Sequence, residues 1–450
     1  TDVGETAYGM KDVMTDADGK IYMYLPADEN GTTIVFGKHF YSGTVSAEAG
    51  ADNRLTRGTE CKYSLLVLGA PAYYERNEST QGILIKDGAN LTIKSGNGYG
   101  KNNYSPMRMQ IEENASVTLT LDGAYMDASE IPYISSPILI PEDSTGNVNI
   151  ILKGENGLKA GNYYAAIQKN GNAENIGTLT ISGDGSLMAA GGNNAAGIGS
   201  GDGKPVKNIV ISSGIITATG GVYGAGIGGG DRGTASNITI SGGTITATGG
   251  ESGAGIGGGY AKEGNHITIS GGTVTATSIA AGKDGSTGAG IGGGYAGMGN
   301  DITISGGTVT AISSATGEYG RAGAGIGGGY SREGNNITIS GGTVTALSTA
   351  DNASCEGYGI GSGWGANDDS TPTVTGGNIK VNKLCGIQGK DGDEPYEAYL
   401  ARADLLPLAG KNAVVGNPVL QTYNKKTGET KTLSYNLKDV CTMEDGYLYM

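Results

Sequence analysis

One repeated segment restricts the fold of this chain more than any other feature of its sequence. The clearest copy, residues 224–248, reads GAGIGGGDRGTASNITISGGTITAT, and it recurs at 253–277, 288–312 and 323–347. Looser copies continue on both sides, and one isoleucine per copy marks the series: Ile167, Ile198, Ile227, Ile256, Ile291, Ile326, Ile360 and Ile387. These isoleucines are 27 to 35 residues apart. Such a period predicts a solenoid, because each repeat can bury its apolar side only by stacking on its neighbours.

The residues inside one copy predict which solenoid forms. In 237–241 and 244–248, apolar and hydroxyl side chains alternate with the period of a strand that has one buried and one solvated face. Glycines separate these strands and supply backbone that can turn where a Cβ would clash. Glycine accounts for 85 of the 450 residues, and no window shows a helical period, so we exclude stacked helical pairs. The sequence therefore predicts an all-β fold, a right-handed parallel β-helix of about ten coils with three short strands per coil.

The repeat pattern occupies the middle of the chain. We expect a β-rich N-terminal cap or linker at 1–75, the β-helix at 76–393 and a β-rich C-terminal segment at 394–450. Residues 437–450 resemble residues 10–23 position by position. Two explanations fit this resemblance. Either similar caps close both ends of the solenoid, or the chain is one unit of a longer array of tandem copies.

Charge and cysteine content restrict the partners and the chemistry. The net charge of −14 argues against nucleic acid and anionic membranes as partners, since both are bound by basic surfaces. No apolar run approaches the length of a membrane span, so we expect no membrane insertion. The four cysteines are too few for a disulfide framework: Cys61, Cys355, Cys385 and Cys441. Cys355 and Cys385 lie one coil apart, and they either pair or stay as buried thiols.

The position four residues after each marker isoleucine suggests a binding surface. Equivalent positions of successive coils lie above one another, so Tyr260, Tyr295, Tyr330 and Trp364 should form a column. Aromatic rings in an exposed strip offer apolar surface to the C–H faces of sugars, and hydrogen-bonding groups at their edges. The column therefore predicts glycan binding, and the alternative is a stack that only supports a turn. Three insertions, 278–287, 313–322 and 348–357, lengthen these coils and are expected to wall one side of a groove.

The same position holds Asp202 and Asp231 in two earlier coils. Two stacked carboxylates repel each other, and a cation would relieve that repulsion. Calcium prefers such oxygen ligands, so the pair is a candidate Ca²⁺ site, and a solvated pair without metal is the alternative. Apart from this Ca²⁺ ion, we expect no cofactor.

A different property of the repeat, its outward T-x-T pattern, is typical of β-helical ice-binding proteins and of ordinary solvated strands. The pattern occurs at Thr244, Thr246 and Thr248, and again at Thr273, Thr275 and Thr277. It continues at Thr308, Thr310, Thr343 and Thr345. Ice binding is therefore a further alternative function.

Catalysis has few candidate residues in this sequence. The two histidines are His39 and His266, and the latter occupies a turn position that is Asn237, Asp301 or Asn336 in other repeats. Acidic residues of the variable turns could form a carboxylate pair for sugar hydrolysis or lyase chemistry: Glu251, Glu263, Asp284, Glu318, Glu333 and Glu356. We expect no enzyme, and a polysaccharide lyase or glycoside hydrolase is the alternative.

The repeat GAGIGGG followed by NITISGGTVTAT resembles the glycine-rich β-helix repeats of bacterial cell-surface proteins. These belong to the broad pectate-lyase-like superfamily and are described as adhesin-like or carbohydrate-binding. The resemblance is strong over 195–347 and weaker over 80–390. It implies a secreted, cell-surface protein whose partner is a polysaccharide or a host glycan. The clustered aspartates and catalytic arginine of the pectate lyases have no counterpart in this sequence.

Overall fold

The computed structural model describes residues 64–77, 81–96, 98–131, 135–281, 285–352, 355–366, 370 and 372–381. Outside these ranges it places four pairs of antiparallel strand backbones: Thr32–Thr33 with Thr44–Val45, Ile387–Asp391 with Glu394–Ala398, Ala403–Asp404 with Tyr447–Leu448, and Val419–Tyr423 with Thr430–Ser434. The expected boundaries near residues 75 and 393 stay predictions. The two similar segments, residues 10–23 and 437–450, lie outside the described ranges, apart from the strand backbone of Tyr447–Leu448.

The coils contribute strands to three sheets, which we call A, B and C in the order in which a coil passes through them. The parallel strands of sheet A are Gly82–Ile85, Arg108–Ile111, Ile138–Ile140, Ile167–Lys169, Ile198–Gly199, Ile227–Gly228, Ile256–Gly257, Ile291–Gly292, Ile326–Gly327 and Ile360–Gly361. Those of sheet B are Asn90–Ser95, Val117–Asp122, Val148–Lys153, Leu179–Gly183, Val206–Ile211, Ala235–Ile240, Gly264–Ile269, Gly299–Ile304, Gly334–Ile339 and Thr373–Val374. Those of sheet C are Tyr125–Asp127, Glu155–Lys159, Ser186–Ala190, Ile215–Thr219, Thr244–Gly249, Thr273–Ala280, Thr308–Ala315, Thr343–Ala350 and Asn378–Val381.

Neighbouring coils pair in parallel and place equivalent residues opposite each other. Ile238 lies opposite Ile267, and Ile267 lies opposite Ile302. Sheets A and B each contain 11 strands, one of them antiparallel, and sheet C contains 9. The predicted right-handed parallel β-helix with three short strands per coil is confirmed, and nine coils contribute a strand to all three sheets.

Apolar side chains of all three sheets meet in one continuous core along the solenoid. The predicted isoleucine row is part of it: Ile227, Ile256, Ile291 and Ile326 are each 0% exposed and paired in sequence along sheet A. Because each isoleucine packs on its copies above and below, the row removes its apolar surface from water without help from any other domain.

The glycine after each marker isoleucine allows the coils to approach closely. Gly257 has φ +136°, and a Cβ at this position would collide with the carbonyl oxygen of Gly292 in the next coil. Any other residue would therefore be strained in its backbone and would also separate two coils.

Two antiparallel strands cover the N-terminal edge of the solenoid. Leu65–Leu68 pairs with Asn90–Ser95 in sheet B, and Tyr74–Asn77 pairs with Gly82–Ile85 in sheet A. The short 3₁₀ helix Pro71–Tyr73 connects them. Pairing at this edge satisfies backbone groups that would otherwise be open to another chain. No helix in the described part of the chain has the length and apolar character required to cross a membrane.

His266 lies inside the sheet B strand Gly264–Ile269, at a position that the strand pairing skips in both strands, not in a turn between strands. It has φ +53°, and the equivalent residues have similar positive values. These residues are Asn208, Asn237, Asp301 and Asn336. The predicted equivalence of His266 with asparagine and aspartate is therefore correct. Its reason is that these short polar residues tolerate the left-handed conformation and reach the next copy, as Asn336 does in donating to Asp301 at 3.0 Å.

Candidate functional site

The turn from sheet A to sheet B positions the aromatic side chains. In each coil the chain leaves the short sheet A strand through glycines and reaches the aromatic residue, whose backbone is then fixed by the preceding coil. The N–H of Tyr295 donates to the carbonyl of Ser252 at 2.8 Å, and the N–H of Trp364 donates to that of Ala322 at 3.0 Å. Because each acceptor lies in the connection from sheet C to sheet A, the site runs along one edge of the solenoid.

The four predicted rings stack on one another, and we call Tyr260, Tyr295, Tyr330 and Trp364 the aromatic column. Tyr260 and Tyr295 have ring centroids 5.4 Å apart with an interplanar angle of 6°. Tyr295 and Tyr330 are 5.1 Å apart at 22°, and Tyr330 and Trp364 are 5.8 Å apart at 12°. The distances follow the spacing of paired strands, so the sheets set the period of the column.

All four side chains are half-buried. Centroid distances of 5.1–5.8 Å at small interplanar angles indicate offset stacking, which covers part of each ring face with the next ring. The column therefore presents ring edges, the uncovered parts of the faces and polar groups, not the fully open faces expected from the sequence. Burial raises the pKa of the Tyr295 phenol, so this group is a neutral hydrogen-bonding group at physiological pH.

Tyr223 extends the column by one ring that sequence reasoning missed. Its ring lies 5.6 Å from that of Tyr260 at an angle of 69°, and the residue is 40% exposed. It belongs to the connection between sheets C and A, and its carbonyl accepts the N–H of Tyr260 at 2.9 Å. The sequence pattern at a single repeat position does not reveal Tyr223, because Tyr223 and Tyr260 lie in different turns.

Arg321 is a second residue that the sequence did not indicate. Its guanidinium carbon lies 5.5 Å from the ring centroid of Tyr330 and 5.2 Å from that of Trp364. Its Nη1 donates to the Tyr330 hydroxyl at 3.4 Å. Arg321 belongs to the second of the three insertions, so this insertion places a cation against the aromatic column.

The beginnings of the insertions extend sheet C. Its strands grow from six residues in Thr244–Gly249 to eight in Thr273–Ala280 and in the two strands that follow. Ser278 and Ser313 are completely buried and donate to the carbonyls of Gly253 and Gly288, both at 2.8 Å. The first residues of the insertions therefore belong to strands of sheet C. That the remaining residues of the insertions wall one side of a groove stays a prediction.

The two predicted aspartates lie in line with the aromatic column. Asp202 is half-buried, whereas the side chain of Asp231 is 6% exposed and its Oδ1 has no hydrogen-bond partner. Burial raises the pKa of Asp231, and the Asp202 carboxylate raises it further against the opposing effect of Arg232. Arg232 Nη2 lies 3.4 Å from Asp231 Oδ2. Within the described ranges, no three His, Cys, Asp or Glu side chains form a group suited to a metal ion, and the Ca²⁺ site stays a prediction.

The threonines of sheet C form a regular array on its outer face. Thr246 lies opposite Thr275, Thr275 lies opposite Thr310, and the next strand continues the row with Thr345. The third row begins with Thr248 and Thr277 and is interrupted by Ile312 and Leu347 in the next two strands. Ice binding by this array stays a prediction, and a thermal-hysteresis measurement tests it.

Other expected features depend on residues outside the described ranges. His39, Asp284, Cys61, Cys385 and Cys441 lie there, so the pairing of Cys355 with Cys385 and any carboxylate pair that includes Asp284 stay predictions. His266 Nε2 lies 3.4 Å from Asp301 Oδ2.

The Beta helix repeat family matches six successive segments of the chain: residues 179–202, 209–231, 238–260, 267–295, 302–330 and 337–364. Each match begins on a sheet B strand and ends at the position occupied by Asp202, Asp231 or a member of the aromatic column. The chain has no significant match among curated protein sequences or among solved structures. The family match supports the repeat fold, which is compatible with enzymes and with proteins that only bind.

Proposed function

We propose that this parallel β-helix repeat protein binds glycans along the aromatic column. The observation that carries the proposal is the stack of four half-buried rings at 5.1–5.8 Å intervals. This interval is similar to the length of one sugar unit in an extended polysaccharide. A chain lying along the solenoid edge would therefore meet one ring per sugar, with apolar contact to the ring and hydrogen bonds to its phenol or indole group.

The proposal includes an extracellular, cell-surface protein with a structural and adhesive role. A solenoid is suited to this role because its long edge repeats the same contact coil after coil. If tandem copies exist, many weak sites at high effective concentration would hold a cell to a glycan surface even where each site is weak. The sequence resemblance to bacterial surface repeats supports this part of the proposal.

Trp364→Ala tests the aromatic column directly. Glycans that bind the wild-type chain on an array would be measured by calorimetry, and the variant should lose ~1–2 kcal/mol of binding free energy, about 5- to 30-fold in Kd. The melting temperature should change little, because the ring is half-buried. Tyr163→Ala is the matched control, since it removes a 56% exposed ring from an earlier coil outside the aromatic column. If Trp364→Ala lowers stability but leaves binding unchanged, the aromatic column only supports the turn.

The same glycans test the enzymatic alternative. A polysaccharide lyase or glycoside hydrolase would release new reducing ends during incubation, whereas a binding protein leaves the glycan intact. Release that disappears in Asp231→Asn would establish an enzyme, because this substitution removes a buried carboxylate in line with the rings and keeps its shape.

A further inference from the structure

The position of Arg321 bears on which glycans the aromatic column would select. Its guanidinium lies over Tyr330 and Trp364, the two C-terminal rings. Attraction between a cation and the ring quadrupole holds the guanidinium plane in place and leaves N–H groups at its edge. A guanidinium has five N–H donors, and the Tyr330 hydroxyl accepts one of them at the long distance of 3.4 Å.

Arg321 has no acidic partner, in contrast to several other cations of the described chain. Lys94 lies 2.8 Å from Asp122 and Lys204 lies 2.9 Å from Glu142, and Arg232 is paired with Asp231. Within the described ranges, no carboxylate lies within ion-pair distance of Arg321, although the whole chain has 44 acidic and 30 basic residues. A half-buried guanidinium held on two rings therefore retains donors for an anion.

We propose that Arg321 makes the aromatic column selective for glycans that carry an anionic group, a carboxylate or a sulfate, on the sugar that lies against the edges of Tyr330 and Trp364. The inference rests on the proposed function. Guanidinium binds both groups through two parallel hydrogen bonds, which a neutral hydroxymethyl group cannot accept with equal strength. Because the net charge of −14 repels anionic chains at long range, the selectivity would come from this local contact.

The test uses oligosaccharides of one backbone in three forms: a cello-oligosaccharide, its C6-carboxylated form and its C6-sulfated form. Wild-type protein should bind at least one anionic form about tenfold more tightly than the neutral form, the effect of one charge-assisted contact. The carboxylated and sulfated forms identify which anion is preferred. Arg321→Gln should weaken binding of the preferred anionic form more than binding of the neutral form, and so remove the preference. Arg321→Lys should keep part of the preference, because it retains the charge without the planar fork.

Arg332→Gln is the matched control, since Arg332 is an exposed arginine two residues after Tyr330 that donates to the carbonyl of Ala296. An equal loss in Arg332→Gln and Arg321→Gln would indicate a general charge effect and overturn the inference. If the neutral form binds as tightly as both anionic forms and Trp364→Ala weakens binding, the proposed function stands and the role of Arg321 is refuted. Absence of binding by all three forms and by the array would refute both.

Discussion

The coils at 82–159 and those at 224–350 follow the same path with different side chains. The earlier coils have bulky core residues such as Met109, Leu119 and Met126, whereas the later ones repeat isoleucine, valine and alanine. Ion pairs also differ: Lys86–Glu75, Lys94–Asp122, Lys101–Glu155 and Lys159–Asp127 lie in or beside the earlier coils. In the later coils of the described chain, Arg232 pairs with Asp231, and His266 Nε2 lies 3.4 Å from Asp301 Oδ2.

The difference follows from stacking identical repeats. When every coil has the same residue at one position, that residue must contact its own copies, and a charged residue would meet a like charge. Groups that both donate and accept avoid this problem. Asn300 donates to Asn265 at 3.1 Å and Asn335 donates to Asn300 at 3.2 Å, while the tyrosines stack ring on ring. Regular coils are therefore suited to ladders, rows in which the same residue of successive coils contacts its own copies. Irregular coils can pair opposite charges.

Replacement of a ladder member in the core should have the largest effect. Ile256→Asp would place a carboxylate in a row that is 0% exposed, with no cation to pair with it in that row. We expect a loss of several kcal/mol in the free energy of unfolding, about 3–5, reduced somewhat by protonation of the new side chain. Chemical denaturation measures it. A loss below ~1 kcal/mol would mean that this row does not belong to the core.

Glycine-to-alanine substitutions should cost different amounts of stability in the two regions. Gly257→Ala faces both φ +136° and the carbonyl of Gly292, whereas Gly123 in an earlier coil has φ +71° and no atom within 4 Å of an added Cβ. Gly123→Ala should cost about 1 kcal/mol from backbone strain, and Gly257→Ala should cost more, about 2–4 kcal/mol, because two coils must separate. Thermal unfolding of both variants measures the difference. Equal losses would contradict the close approach of regular coils.

The stacked aspartates predict a pH dependence of stability. The pKa of Asp231 is raised above its usual 3.8, so folding favours the protonated form. Its contribution to stability is complete at low pH and is lost as the pH rises from about 4 through the raised value. Asp231→Asn should remove this dependence and be at least as stable as wild type at pH 7. If Ca²⁺ binds here, it should raise the melting temperature of wild type and not of Asp231→Asn. A stability difference that grows as the pH falls would contradict the assignment.

Loss of a single polar contact should have the smallest effects, first a ladder hydrogen bond and last an ion pair at the surface. Asn300→Asp keeps the acceptor for Asn335 and loses the donor to Asn265, at an expected cost of about 0.5–1.5 kcal/mol. Lys94→Gln, which breaks an exposed ion pair in an earlier coil, should cost about 0–1 kcal/mol and less at high salt. Denaturation at two salt concentrations separates them. The loss of unfolding free energy in Asn300→Asp could depend on salt and be no larger than the loss in Lys94→Gln. That result would show that the hydrogen-bond ladder adds nothing to stability.

The sequence by itself determined the fold and the main line of the candidate site. Alternating isoleucine and threonine gave the strands, and glycine gave the turns. Constant spacing from each isoleucine placed Tyr260, Tyr295, Tyr330 and Trp364 in one line, because in-register stacking converts sequence period into spatial alignment. The tertiary structure decided what that period does not encode. Tyr223 and Arg321 reach the aromatic column from other turns, ring faces cover one another, and Asp231 becomes buried. These features depend on where separate turns meet in space, and the repeat pattern specifies each turn only relative to its own copies.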